Sequence, residues 1–147
     1  MLSIFSKSKK VDSAEVYGLL KTDMHSHLIP GVDDGSPDLA NSLKLIRGLH
    51  ELGYTKLITT PHIMWDIYKN SAGKITEKLG LLREAVQQEG IPVEIQAGAE
   101  YFLDDHVAEL LSNNQPLLKI SGNMVLTEFS MAYQPHGIKE IIFDMQM

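Results

Sequence analysis

Six residues join metal-ligand chemistry to positions that could bring them together: His25, His27, Asp34, His62, Glu100 and Glu128. The first three fall in one stretch, Asp23-Met24-His25-Ser26-His27-Leu28-Ile29-Pro30-Gly31-Val32-Asp33-Asp34-Gly35. His25 and His27 stand at i and i+2, and on an extended segment such side chains project from the same face. Two imidazoles on one face, followed by carboxylates, can begin a metal site. The chain has no cysteine. That excludes disulfides, thiolate-held zinc and every cysteine-nucleophile mechanism, the cysteine-based phosphatase mechanism included. A metal must then be held by His, Asp and Glu, a set that suits Mn, Fe, Zn or Mg.

The elements that must position these residues alternate between strand and helix. A strand is expected from about Leu20 to His25, ending in the two histidines. Leu28 to Ser36 carries Pro, two Gly and two Asp, and reads as a loop. Ser36-Pro37-Asp38 then opens a helix, with Ser36 as N-cap, Pro37 at the first helical position and Asp38 at the positive end of the dipole. Leu39, Leu43, Ile46, Leu49 and Leu52 give it one apolar face, and Gly53 ends it. Lys56 to Thr60 is a compact strand closed by Pro61, with His62 directly after it. A loop from Ile63 to Gly73 holds Trp65 and Tyr68, residues suited to line a substrate rim or cover the loop.

Ile75, Leu79, Leu82 and Val86 mark a second amphipathic helix, stopped at Gly90. Pro92 to Ala97 reads as a third strand with Gly98-Ala99-Glu100 at its end. Asp104 or Asp105 can cap a third helix that turns Val107, Leu110 and Leu111 inward, broken by Asn113 to Pro116. Asn123 to Phe129 is a fourth strand, ending near Glu128. Gly137 to Met147 carries a fourth helical pattern. The alternation predicts an α/β fold with a parallel sheet. Sites in such folds form at the C-terminal ends of the strands. Each of the four strand ends then brings at least one N or O ligand, and that coincidence outweighs any single residue. Alone, Asp33-Asp34-Gly35 is most simply a turn, Glu100 and Glu128 are surface acids, and His62 is a surface histidine. His50 and His106 lie in helical patterns and read as solvated or packing residues; His136 receives no role.

The chain is long enough for one domain with a real core. A formal charge of −6 argues against a nucleic-acid binder that relies on a basic surface. No apolar run is long enough to span a bilayer. Residues 1–10 put their apolar positions before their lysines, the reverse of a secretory signal, and read as a polar tail. Val11 to Leu20 is a short lead-in, and a cytoplasmic location is expected.

The quoted segments His25-Ser26-His27, Val32-Asp33-Asp34-Gly35, Thr59-Thr60-Pro61-His62, Gly98-Ala99-Glu100-Tyr101 and Glu128-Phe129-Ser130 carry a family resemblance. In this order and spacing the chain, from about Thr22 onward, resembles the PHP (polymerase and histidinol phosphatase) superfamily. Within it, the chain is similar to the bacterial metal-dependent tyrosine phosphatases of the capsular and exopolysaccharide type. The resemblance implies a distorted, TIM-like β/α barrel with up to three metal ions in its mouth, manganese foremost. It implies that His25, His27 and Glu100 hold the first ion, that Glu100 bridges to a second held also by Glu128, and that Asp34 and His62 hold the third. Hydrolysis of phosphotyrosine would then follow attack by a metal-bound hydroxide. The implied protein substrate is a tyrosine autokinase; no nucleic acid and no membrane span are expected, and homo-oligomers stay open.

One departure qualifies the resemblance. The later His-Pro-x-Arg and Asp-x-His segments of the family are absent: His136 is the only histidine after Glu128, and no arginine follows Arg83. No catalytic residue beyond the metal ligands is therefore assigned. The expectation is residues 1–20 as tail and lead-in, and residues 21–147 as the N-terminal part of a PHP phosphatase domain of about four β/α units. Alternatives are a small-molecule phosphate-ester phosphatase of the superfamily and a non-catalytic binding remnant.

Overall fold

The computed structural model of the chain describes residues 19–132 and 137–147. The expected tail, most of the lead-in and His136 lie outside them. Ten elements are described: β1 (Thr22–Ser26), α1 (Leu39–Glu51), β2 (Lys56–Thr59), β3 (His62–Ile63), α2 (Ala72–Gln88), β4 (Glu94–Ala97), β5 (Glu100–Phe102), α3 (Asp105–Ser112), β6 (Leu126–Glu128) and α4 (Ile138–Gln146). Every strand pair is parallel. The mixed α/β class with parallel strands is as expected.

The single sheet is not. Two three-stranded sheets form, in the orders β1-β2-β4 and β3-β5-β6. His62 and Glu100 do not trail from strand ends: each opens a short strand of the second sheet, and the two are partners in register. The cause is a kink after β2 and another after β4. Pro61 has no N–H to continue the ladder. At Gly98 a Cβ would press within 3.1–3.2 Å of Ile120, so the backbone passes close only because no side chain is there. Hydrogen bonds cross both kinks, from Gly98 N to Thr59 O (2.9 Å) and from Glu100 N to Pro61 O (3.0 Å). β2 and β3 therefore behave as one bent strand, and β4 and β5 as another. Two- and three-residue strands carry no legible period, which is why they read as loop and strand tail.

The helices follow their apolar spacing more closely. Ile75, Leu79, Leu82 and Val86 of α2 are all buried, as expected, and Ser71 caps the helix. Gly53 ends α1 with a φ of +99°, a left-handed conformation that glycine adopts freely. At the start of α1 the cap is Asp38, which accepts from Asn41 N at 2.8 Å, and not Ser36. Ser36 is fully buried and otherwise engaged: its N–H donates to His27 O, its carbonyl accepts from Gly31 N, and its hydroxyl donates to Asp38 O. That leaves Leu39 43% exposed, while Ser42 and Ile46 face inward. Asp104 caps α3 and Val107 is buried there.

One core cluster joins both sheets to the helices, running from Leu28, Ile29 and Ile46 through Leu57, Leu82 and Ile95 to Tyr101, Val107 and Ile141. The fully buried Tyr101 accepts Leu118 N on its hydroxyl at 2.7 Å. β2 and β5 are the central strands of their sheets, and β6 has one strand partner among the described residues. Nearby, α4 buries Ile141 but leaves Ile142 and Phe143 exposed. Leu82→Ala should cost about 3 kcal/mol of stability through the cavity it leaves. Leu81→Ala, next along α2 on the exposed side, should stay within about 0.5 kcal/mol. Urea unfolding midpoints of the two variants test the assignment of the buried face.

Candidate metal centre

The bend between the sheets gathers the candidate residues. β1 brings His25 and ends just before His27, the loop after it brings Asp34, β3 brings His62, β5 brings Glu100 and β6 brings Glu128. The β1–β2 register slips by one residue between Asp23 and Ser26. Such a bulge re-aims the side chains beside it. Thr59 anchors the segment there: its hydroxyl donates to Ser26 O and accepts from Leu28 N. Both imidazoles still converge, edge to face with centroids 5.4 Å apart.

Glu100 is the hub. Its Oε2 lies 3.2 Å from His27 Nε2, 3.4 Å from His62 Nδ1 and 4.0 Å from His25 Nε2. Glu128 Oε2 comes within 3.6 Å of His62 Nδ1, and Asp34 Oδ1 within 3.6 Å of His62 Nε2. The Glu100, His62 and His27 side chains are 11%, 14% and 17% exposed, whereas those of Glu128, His25 and Asp34 are 44–63% exposed. A buried centre therefore opens through a polar rim. Three overlapping groups have their ligand atoms within 4.8 Å of one another: His25, His27 and Glu100; His27, Asp34 and His62; His62, Glu100 and Glu128. All six residues singled out in the sequence are thus brought together.

The donor set fits divalent cations on two further grounds. His62 Nδ1 is buried and has no hydrogen-bond partner. A buried polar atom left unpaired is costly, so the cluster is short of a partner that a bound cation and the tautomer it selects would supply. Four carboxylates, of Asp33, Asp34, Glu100 and Glu128, also crowd three imidazoles, and no Lys or Arg among the described residues pairs with them. That excess of negative charge would repel a phosphate unless cations offset it.

Two residues outside this set, Asp33 and Thr60, hold the candidate ligands in place. Asp33, read as part of a turn, is a buried anchor. Its Oδ2 accepts from His27 Nδ1 at 2.8 Å and from His62 N at 2.9 Å, and its Oδ1 accepts from Gly35 N at 3.0 Å. Burial alone would push the Asp33 carboxyl up, but these three hydrogen bonds outweigh it and hold the group below the ordinary carboxyl range. The same bond raises the His27 pKa above the ordinary value, against the opposing effect of burial and with help from the charges of Asp33, Glu100 and Asp34. His25 Nδ1 shares a 2.7 Å hydrogen bond with the Thr60 hydroxyl. With Nδ1 engaged on both rings, Nε2 is the nitrogen left to face Glu100. The adjacent acids before a glycine were the available signal for Asp33; nothing local marked Thr60.

The remaining aromatic and histidine readings also find places. Tyr68 stacks on His62, with centroids 5.4 Å apart and planes 13° from parallel. Trp65 stacks on His106, so His106 is a packing residue. His50 lies 3.4 Å from the Tyr54 carbonyl.

Residues 21–147 match the family described as capsular polysaccharide synthesis, CpsB/CapC. The chain belongs to this family. It is 29% identical over 125 residues to the tyrosine-protein phosphatase YwqE of Bacillus subtilis, covering 85% of this chain and 49% of that protein. It is 30% identical over 110 residues to the tyrosine-protein phosphatase CpsB of Streptococcus pneumoniae, covering 74% of this chain and 45% of that one. A crystallised chain from work describing YwqE and CpsB as unique metal-dependent tyrosine phosphatases matches with a TM-score of 0.74 and 29% identity, over 85% of this chain and 51% of its own. The capsular-type resemblance is borne out. The chain spans about half the length of the curated relatives it matches.

If Asp33 and Thr60 orient the imidazoles, Asp33→Asn and Thr60→Val should each weaken divalent-metal binding about 10- to 100-fold. Calorimetric titration with Mn²⁺ checks this, with circular dichroism to confirm an unchanged fold.

Proposed function

We propose that this chain carries metal-holding residues of a metal-dependent protein-tyrosine phosphatase that acts in capsular or exopolysaccharide synthesis. The observation that carries the reading is the gathering of six N and O donors from four strand positions into three overlapping groups, with His25, His27 and His62 around the buried carboxylate of Glu100 and Asp34 and Glu128 beside His62. In this reading His25, His27 and Glu100 hold one ion, Glu100 and Glu128 share a second, and Asp34 and His62 hold a third. Manganese is the first candidate, with iron, zinc and magnesium accepted by the same donors. The relatives' tyrosine-protein phosphatase names support phosphotyrosine proteins as substrates, and the family's description supports a place in capsule synthesis; a tyrosine autokinase is the substrate we propose.

When bound, such ions offset charge on a phosphoryl group and acidify water. The chain's own residues supply the rest. Glu100 and the two buried imidazoles hold the centre away from solvent. Asp33 and Thr60 fix which nitrogen each β1-end histidine presents. Asp34 and Glu128, at the exposed rim, leave room for a phosphate ester to approach. No group among these residues is a thiol, so no cysteinyl-phosphate forms.

The fold supports a place for residues 21–147 in a PHP-type barrel, as the N-terminal part of such a domain. The strand positions run in chain order around a bend, β1, then β2–β3, then β4–β5, then β6. That is the way consecutive β/α units line a barrel. Among the described residues no helix is long and apolar enough to cross a membrane; action in the cytoplasm is part of the proposal.

Metal analysis and turnover on the purified chain test the reading. The chain should take up divalent metal, and Glu100→Gln should weaken uptake at least about 100-fold, beyond the effect of losing a supporting residue. Any phosphate release should favour phosphotyrosine peptides over histidinol phosphate and sugar phosphates, and should be slow if family ligands beyond these six are needed. A preference for the small esters would move the chain to small-molecule phosphatases. Protein that binds no metal and is inert would instead mark a binding remnant.

A further inference from the structure

The Asn70 side chain lies between two segments that carry candidate ligands, and the reaction chemistry gives it no task. It is fully buried. Its Nδ2 donates to the Val32 carbonyl at 2.9 Å and to the His62 carbonyl at 2.8 Å. Val32 directly precedes Asp33 and Asp34, so one amide ties the loop bearing Asp34 to the strand bearing His62. The Oδ1 of the same side chain is buried without a partner. Keeping an unpaired buried oxygen is costly, which marks the position as one where the two donated bonds matter. The segment is held at both ends: Asn70 N donates to Tyr68 O at 2.7 Å, Tyr68 N donates to Met64 O, and the Tyr68 ring lies flat against His62. Asp33 reaches the same residue through His62 N. The backbone of His62 is therefore clamped at its N–H by Asp33 and at its carbonyl by Asn70, with its ring backed by Tyr68.

We infer that Asn70 is a positioning residue that sets the separation of Asp34 from His62, and so governs binding of a divalent cation at that end of the cluster. The inference rests on the metal-centre reading above, and acts through His62 and the Asp33–Asp34 loop without contact with the ion. Asn70 makes no hydrogen bond to the His25, His27 and Glu100 group, which is linked to it only indirectly, through Asp33 and His62.

Two readouts test it on the full chain. In metal-free protein, Asn70→Ala should speed amide hydrogen exchange at His62 and Gly35 at least tenfold, since both amides donate to Asp33 in the clamped arrangement. Leu82→Ala, a core variant elsewhere, should not single out those two amides. In Mn²⁺ titrations, Asn70→Ala should weaken one binding step about tenfold or more and the others by at least threefold less. Tyr68→Leu, which removes the ring backing but not the amide, should give a smaller loss in the same step. If Asn70→Ala does not fold, Asn70→Ser, which keeps a short donor, takes its place with the same expectations at reduced size. Unchanged exchange at His62 and Gly35, or equal weakening of every binding step, overturns the inference. A wild-type chain that binds no Mn²⁺ overturns the metal-centre reading instead, while the exchange measurement still decides whether Asn70 clamps His62.

Discussion

The buried carboxylate of Asp33 is the constraint on which the site depends. Removing a charge from water is costly, and the cost is recovered only when each oxygen finds donors. Here the donors come from three places in the chain: the His27 ring, the His62 backbone and the Gly35 backbone. Satisfying one carboxylate therefore fixes the end of β1, the shape of the following loop and the start of β3 together. The loop can close this tightly only because position 35 is glycine, since a Cβ there would overlap the Cβ and carbonyl of His27. Asp34, the next residue, is left to point to the exposed rim.

This division of labour between neighbouring acids explains how one short stretch serves both architecture and chemistry. Asp33 gives up its lone pairs to the protein and becomes unavailable as an open ligand. Asp34 keeps its lone pairs and faces His62. The same division recurs at the histidines. His25 and His27 each spend Nδ1 on a supporting residue and present Nε2, whereas the Nδ1 of His62 stays buried and unspent between Glu100 and Glu128. Supporting partners of this kind orient metal-binding imidazoles and tune their basicity.

The sequence revealed long-period features well and short ones poorly. The α2 face was legible because Ile75, Leu79, Leu82 and Val86 repeat over several turns, and burial of that stripe drives the helix onto the sheet. The candidate ligands were legible as a set because parallel β/α units place successive strand ends together, so side chains far apart in sequence share one mouth. β3 and β5 were hidden because two or three residues hold no period, and their pairing is decided by kinks at Pro61 and Gly98. Ser36 misled because its type suits an N-cap, while its burial and its bonds to Gly31 and His27 gave it another role. Asn70 was invisible because its partners are backbone carbonyls, and any sequence can offer those.

The kinks also explain why the centre sits where it does. An unbroken parallel sheet would run His62 and Glu100 past the end of the ladder as loop residues, free to move relative to each other. Bending after β2 and β4 starts a second ladder with these two residues as its first register pair. Their side chains are then set by sheet geometry on the same pleat, and a 3.4 Å approach of His62 Nδ1 to Glu100 Oε2 follows from strand pairing. Rigid elements hold such contacts more closely than loops do. The fold thus places the most buried part of the cluster on strands and leaves Asp34, the most exposed donor, on the loop. A polar ligand entering from the rim would meet the exposed donor first and the buried ones last.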